Sequence, residues 1–338
     1  MGGAIWAGRR PVVLAPMAGG AGRPELVAAV VEAGGLGFLP AGYKTAGQMR
    51  ADIEATRALT DGPLGVNLFL PSRDEVDDAA VAAYRDRLAA EASRLGVEPG
   101  TPKARDDDYD AKVADLLADP PELVSFTFGD PGRDVVGAFR QAGVTTVVTV
   151  TTPDEARRAV GSGPDALCVQ GAEAGAHRGS FTNTTEGALP LRELLPAVRA
   201  ITGLPLVAAG GVATARDVAG LLELGAVAVQ VGTLFLRCPE SGATDVAKAA
   251  LADPRFTETA VTRAFSGRPA RGLVNRFLAE HSDAAPAAYP DVHYVTAPLR
   301  RAAAERGDAD TVNLWAGTAF RSATESPAAE IVDRLTPR

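Results

Sequence analysis

The chain has 338 residues, of which 46% are hydrophobic and 22% are charged, and its net charge at pH 7 is −8. This acidic balance argues against nucleic acid or an anionic membrane as a partner, because both require clustered cations. No apolar run reaches the roughly 20 residues that span a bilayer, and the first residues lack the pattern of a signal peptide. The only cysteines, Cys168 and Cys238, have no metal-binding spacing and require no oxidising compartment. We therefore expect a cytoplasmic protein.

Short apolar runs alternate with helical patterns along the first 233 residues. Eight strands are predicted at residues 12–16, 36–39, 64–70, 123–128, 145–150, 166–170, 205–209 and 226–231. Helices are predicted at residues 24–33, 45–59, 133–142, from 152 onward, 191–200 and 214–224. Strands with little alternation of polarity are typical of a parallel sheet that is covered on both faces. The α/β order therefore predicts a (β/α)8 TIM barrel over residues 1–233.

Two segments do not fit the repeat. Residues 71–110 form an insertion after the third strand, with a charged helical piece at 74–95 and a polar turn at 99–108. An excursion at this place is expected to form a lid or a wall of the substrate pocket. Residues 234–338 have a helical pattern and are expected to form a C-terminal helical extension packed on the barrel. Apolar surface on this extension would support a homodimer.

Glycines follow the last two predicted strands. Gly210 and Gly211 end the seventh strand, and Gly232 and Thr233 end the eighth. The loops after these strands commonly bind phosphate in TIM barrels, and a glycine lets a phosphate approach the backbone amides. A helix that begins near Thr214 would add its positive end. Such pairs also occur as ordinary turn residues, but their presence at both strand ends favours a phosphate site.

Two amide side chains lie in or next to apolar strands. Asn67 is inside the third strand, and Gln170 ends the sixth. A buried amide needs a hydrogen-bond partner. Each amide could bond a neighbouring strand end or the edge of a heterocyclic ligand, and the two together favour the ligand.

His177 is the candidate for proton chemistry. It lies in a loop of Gly and Ala beyond the sixth strand, where little apolar packing surrounds it, and imidazole titrates near neutral pH. Glu173 either orients His177 or faces solvent. His281 and His293 lie in the polar extension and are expected to be structural. No His, Cys and carboxylate cluster has the spacing of a metal site.

These residues belong to sequence blocks that resemble nitronate monooxygenases, formerly called 2-nitropropane dioxygenases. Chance does not explain the order and spacing of these blocks. In the barrel they are Ala15–Met17, Gly65–Phe69, Val124–Gly129, Gln170–Gly179, Ala208–Gly211 and Val229–Thr233. In the extension they are Ser266–Gly272 and Leu314–Gly317. The resemblance covers the chain from about residue 10 to the extension.

The resemblance implies an FMN-dependent TIM barrel that uses O2 to oxidise nitronates to a carbonyl compound and nitrite, with neutral nitroalkanes as alternative substrates. His177 would be the catalytic histidine, either as a base toward a nitroalkane or as the group that holds the nitronate anion. The backbone of residues 15–17 would lie along the flavin ring. The residues that would bind FMN are Ala15, Pro16, Met17, Asn67, Gln170, Gly175, Gly210, Gly211, Gln230, Val231, Gly232 and Thr233.

The sequence departs from the family pattern at two positions. Ala176 stands where a second glycine usually precedes the histidine. Thr318 stands where glutamine is common, and this second departure puts a contact between the extension and the active site in doubt. A related FMN-dependent reductase shares the barrel and the histidine block. The alternatives are therefore an NAD(P)H-dependent reductase of enoyl thioesters or quinones, and a barrel that binds FMN without turnover.

Overall fold

The computed structural model describes residues 5–72 and 74–338. Its strands are β1 (Val12–Leu14), β2 (Leu36–Pro40), β3 (Leu64–Phe69), β4 (Leu123–Thr127), β5 (Thr145–Val150), β6 (Ala166–Gln170), β7 (Ala176–His177), β8 (Leu206–Ala209), β9 (Ala228–Val231), β10 (Thr259–Thr262) and β11 (Ala270–Leu273). Strands β1 to β6, β8 and β9 are parallel and close into a barrel, because β9 pairs with β1. The predicted TIM barrel is confirmed.

Within residues 5–72 and 74–338, thirteen α-helices cover the barrel and build the added segments. They are α1 (Pro24–Glu32), α2 (Ala46–Arg57), α3 (Asp78–Arg87), α4 (Ala89–Leu95), α5 (Tyr109–Ala118), α6 (Arg133–Gln141), α7 (Pro153–Ser162), α8 (Leu191–Arg199), α9 (Ala215–Glu223), α10 (Asp245–Ala252), α11 (Arg276–His281), α12 (Asp291–Glu305) and α13 (Ala328–Leu335). None of the helices in the described ranges is long and apolar enough to cross a membrane.

Local sequence signals fix several helix ends. Thr45 and Thr214 form capping boxes with Gln48 and Asp217, so that side chains satisfy the first free amides of α2 and α9. Thr152 caps α7 ahead of a proline in the first turn. These caps place each helix start directly after a strand, which leaves the carboxyl ends of the strands together at one rim of the barrel.

The barrel strands bury both of their faces. Outward side chains such as Val66, Phe126 and Val148 pack under the helices, and inward ones such as Phe38 and Val147 fill the lumen. This double burial explains why the strands read as continuous apolar runs. The helix α13 packs against α1 and α9, and its apolar face belongs to the same core. The last helix of the chain thus takes the place of the helix that would follow the eighth barrel strand.

The insertion and most of the extension share a second core. Val81, Tyr84 and Leu88 from the insertion pack with residues such as Phe277 and Val295 from the extension. The extension also contains β10 and β11, which its helical pattern did not predict, and β11 pairs with β7 in the His177 loop. The division of the chain at residue 233 stays a prediction.

Candidate active site

A cavity of about 530 Å³ opens at the carboxyl ends of the barrel strands. This volume lies within the roughly 300–1,000 Å³ of small-molecule sites. Every residue that the sequence predicted for the site lines this cavity, namely Ala15, Pro16, Met17, Asn67, Gln170, Gly175, His177, Gly210, Gly211, Gln230, Val231, Gly232 and Thr233. The parallel register produces this convergence, because it brings positions that are far apart in the sequence to one rim.

The side-chain amides of Asn67 and Gln170, whose roles the sequence left open, have different hydrogen-bond partners. Nδ2 of Asn67 donates to the hydroxyl oxygens of Ser125 and Thr127, each at 2.9 Å, while its Oδ1 accepts no hydrogen bond from the described residues. The Gln170 amide is engaged at both ends, since Oε1 accepts from Gly179 N at 2.7 Å and Nε2 donates to His177 O at 3.2 Å. Gln170 therefore closes the histidine loop, and Asn67 keeps a free acceptor.

The glycine ends of β8 and β9 form a cradle of backbone amides. Gly210 and Gly211 have φ angles of +117° and +69°, a region that side chains strongly disfavour. The amide groups of Gly211, Val212 and Gly232 donate to no acceptor in the described part of the chain. A ring of free amides next to a helix start is a suitable site for a phosphate.

His177 is held inside the cavity by the extension. It lies on β7, and its Nε2 is 2.8 Å from the hydroxyl oxygen of Ser266. The rings of Phe128, Tyr289 and Trp315 surround it, with centroids 5.8, 5.5 and 5.7 Å from that of the imidazole. The expectation that little apolar packing would surround His177 was wrong, because its neighbours come from distant parts of the chain.

The imidazole of His177 is neutral at physiological pH. Burial lowers its pKa to about 3, and the charges of Arg268 and Arg300 act in the same direction. A neutral imidazole can still donate or accept a hydrogen bond, so the low pKa leaves it available for positioning an anion.

The buried Arg268 and the half-buried Arg300 make this region positive. Arg300 lines the cavity and donates to His293 O at 3.0 Å and to Asn313 Oδ1 at 3.1 Å. Arg268 lies over the Phe128 ring, 4.1 Å from its centroid. Among the described residues, both guanidinium groups donate to backbone oxygens or neutral side chains, and neither forms an ion pair with a carboxylate. Burial lowers the pKa of Arg300 only to about 10, so it stays a cation and attracts anions into the cavity.

The structure also places residues whose roles the sequence left open or missed. Glu173 neither orients His177 nor simply faces solvent. Its carboxylate accepts a hydrogen bond from Leu191 N, at 3.0 Å, at the start of α8. His293 is part of the cavity wall, where it stacks on Tyr43 with ring centroids 3.9 Å apart. The spacing of His293 and Arg300, two turns apart on one helix face, was a usable signal. His281 lies elsewhere, beside Glu91.

The extension reaches the cavity despite the departure at Thr318. Gly317 N donates to the Thr233 hydroxyl oxygen at 2.9 Å, and Trp315 lines the cavity. A Cβ added at Gly175 would lie 2.4 Å from Gly317 N, so this close approach requires glycine. Thr318 itself donates its backbone amide to Glu173 O at 3.0 Å. The doubt about a contact between the extension and the site is thereby removed.

Comparisons with known proteins agree with this geometry. The family described as nitronate monooxygenase matches residues 6–338. A nitronate monooxygenase from Pseudomonas aeruginosa is 40% identical, over 97% of this chain and 95% of its own length. A probable nitronate monooxygenase from Staphylococcus aureus is 34% identical, over 96% and 93%.

Solved structures show the same fold. A nitroalkane oxidase from Streptomyces ansochromogenes has a TM-score of 0.94 and 51% identity, over 96% of this chain and 94% of that one. FabK from Thermotoga maritima has a TM-score of 0.77 and 26% identity, over 98% and 93%. Proteins of the family that matches residues 6–338 are flavin-dependent oxidoreductases. The chain belongs to the nitronate monooxygenase family.

Proposed function

We propose that the protein oxidises alkyl nitronates with O2 to a carbonyl compound and nitrite, and that its flavin is FMN. The observation that carries this proposal is one cavity that is lined both by strand ends with free backbone amides and by a neutral histidine, with the cation of Arg300 also in its wall. The free amides suit a phosphate, and the histidine and the cation suit a small organic anion. A bound flavin supplies the electron-transfer and O2 chemistry that side chains lack.

The residues at the strand ends fit FMN. The free amides of Gly211, Val212 and Gly232 would bind the phosphate, with Thr233 adding a hydroxyl. Oδ1 of Asn67 is a free acceptor for an N–H group of the flavin ring. The remaining predicted residues, Ala15, Pro16, Met17, Gln170, Gly175, Gly210, Gln230 and Val231, would line the cofactor. Gln170 would do so while it holds the histidine loop.

The part of the cavity beside His177 and Arg300 would receive the substrate. The cation of Arg300 would attract the nitronate, and His177 would hold the anion by a hydrogen bond. Because a nitronate is already deprotonated at carbon, a neutral imidazole is sufficient for this role. We assign His177 as the catalytic residue on this ground.

We propose a cytoplasmic setting from the composition of the chain. Both cysteines are buried free thiols, which suits the reducing cytoplasm. A homodimer stays a prediction from the apolar surface of the extension. The absence of nucleic-acid and membrane partners stays a prediction from the acidic net charge.

The assignment is tested by identifying the flavin and by replacing the histidine. Chromatography of the cofactor released from the purified protein should give FMN. The variant His177→Asn should retain the flavin and lose nitrite production from ethyl nitronate by at least about a hundredfold, the scale expected for an acid–base or anion-holding group. Unchanged nitrite production by this variant would contradict the role of His177.

A further inference from the structure

Two stacked aromatic rings form part of the cavity wall. Tyr43 follows β2, and His293 lies in the first turn of α12. Their ring centroids are 3.9 Å apart and their planes differ by 3°. The Tyr43 hydroxyl lies 3.1 Å from that of Tyr289, and Phe69 packs edge-on against the Tyr43 ring. The position of this stack therefore sets how far the cavity extends on this side.

The backbone of Tyr43 is held from outside the barrel. Its φ angle is +66°, in the left-handed region that residues with a side chain rarely adopt. Its amide donates to Asp107 Oδ1 at 2.8 Å. Asp107 is fixed in turn, because its Oδ2 accepts from Nζ of the buried Lys112 at 2.7 Å. An insertion residue thus supplies the acceptor that holds an unusual backbone conformation in the cavity wall.

The same segment also holds the other half of the stack. Nη2 of Arg105 lies 2.7 Å from Oδ2 of Asp291, a fully buried carboxylate that begins α12 two residues before His293. Gly100 N donates to Val295 O at 2.9 Å, in the following turn of that helix. Residues 100–107 therefore contact both elements that carry the stacked rings, although the segment itself does not line the cavity.

We propose that Asp107, assisted by Arg105, is a positioning residue that sets the Tyr43–His293 stack and thereby the length of the alkyl chain that the substrate pocket accepts. The inference rests on the proposed function, since it concerns the nitronate side of the same cavity. It assigns the insertion a task in specificity that is distinct from its contribution to the second core.

A matched pair of double variants separates positioning from stability. Replacing Asp107 alone would leave the buried ammonium of Lys112 without its partner, so both variants also carry Lys112→Met. In Asp107→Asn with Lys112→Met, an amide oxygen can still accept from Tyr43 N. In Asp107→Ala with Lys112→Met, that acceptor is lost. The two variants differ chiefly in the bond to Tyr43.

Two readouts are measured on the flavin-loaded proteins with straight-chain ligands of two to six carbons. The first is kcat and KM for the nitronates. The second is the Kd for the corresponding carboxylates, which mimic the planar anion without reacting, measured from the change in flavin absorbance. Arg94→Met serves as a control, because Arg94 joins the insertion to Asp308 at 2.8 Å without touching the Tyr43–His293 stack.

We expect the Ala variant to change the ratio of KM between the six-carbon and two-carbon nitronates at least fivefold, with a smaller change in kcat, and to change the carboxylate Kd ratio in parallel. The Asn variant and Arg94→Met should keep the wild-type ratios even if they unfold at lower temperature. Wild-type ratios in the Ala variant would overturn the proposal. If the wild-type protein bound carboxylates but released no nitrite, the proposed function would fail, and the carboxylate ratios would still decide the role of Asp107.

Discussion

The backbone amide of Gly317 donates a 2.9 Å hydrogen bond to the hydroxyl oxygen of Thr233, and this bond joins the C-terminal extension to the end of the last barrel strand. The hydroxyl hydrogen remains free to donate to a ligand in the cavity. Thr233 thus connects the extension that bears Trp315 with the glycine end at which we place the phosphate.

Replacing Thr233 with valine should weaken FMN binding. A hydrogen bond to a charged group contributes about 1.5 kcal/mol or more, so the Kd for FMN should rise roughly tenfold. The variant Thr233→Ser keeps the hydroxyl and should bind FMN within about twofold of the wild-type Kd. Fluorescence titration of the cofactor-free protein with FMN measures both values. Equal affinity in the valine and serine variants would remove Thr233 from the phosphate site.

Replacing Ala176 with glycine should stabilise the protein. Ala176 precedes the catalytic histidine with a φ angle of +60°, which costs a residue with a Cβ about 1–2 kcal/mol. Part of that gain is offset by the greater freedom of glycine in the unfolded chain, so the free energy of unfolding should rise by about 1 kcal/mol. The exposed helical residue Ala51 is the control, because Ala51→Gly should lower stability by about 0.5–1 kcal/mol. Urea unfolding tests both, and a loss of stability in Ala176→Gly would contradict the argument.

The low pKa of His177 predicts a stability that falls with acid. Its pKa is about 3 in the folded protein and about 6.5 in the unfolded chain, so the unfolded chain binds more protons between these values. The contribution is complete above pH 6.5 and is lost as the pH falls toward 3. Between pH 7 and pH 5 it amounts to about 2 kcal/mol.

His177→Gln should therefore lose less unfolding free energy than the wild-type protein between pH 7 and pH 5. Burial also lowers the pKa values of His281 and His293, so the variant should keep part of the pH dependence. Urea unfolding of the cofactor-free proteins at both pH values provides the comparison. Identical losses in the two proteins would show that His177 is not held neutral by burial.

Replacing Arg300 with methionine should weaken substrate binding more than it affects the flavin. Both Arg300 and Arg301 line the cavity, but the guanidinium of Arg300 is half-buried and weakly screened, whereas that of Arg301 is exposed and strongly screened. We expect KM for ethyl nitronate to rise at least tenfold in Arg300→Met and less than threefold in Arg301→Met. Steady-state nitrite release measures both, with flavin content as the control for folding. Equal effects of the two substitutions would argue against a role for the half-buried charge.

Apolar runs predicted the barrel strands, and capping residues predicted the starts of several barrel helices. Strands β5 and β6 have the predicted bounds, and threonine caps mark the starts of α2, α7 and α9. The helix α5 was missed because no local signal marks its start. Its cap residue, Asp108, is left-handed and makes no capping bond to α5; its carboxylate instead accepts from Ala46 N at the start of α2.

The strand-end residues and His177 were predictable from the sequence, and the residues that pack around His177 were not. Glycines and amides at those ends converge because parallel strands finish at one rim, which sequence order alone implies. The rest of the cavity wall depends on contacts between distant segments, such as Tyr43 with His293 and β7 with β11. Neither segment of such a pair indicates its partner, and His293 was expected to be structural because it lies in the polar extension.

The most direct test of the account is oxygen uptake by the FMN-loaded protein with ethyl nitronate and without NAD(P)H. The proposed function predicts rapid uptake, with nitrite released in proportion to the nitronate consumed. Absence of uptake, together with oxidation of NADH in the presence of an enoyl thioester or a quinone, would contradict it and identify a reductase instead.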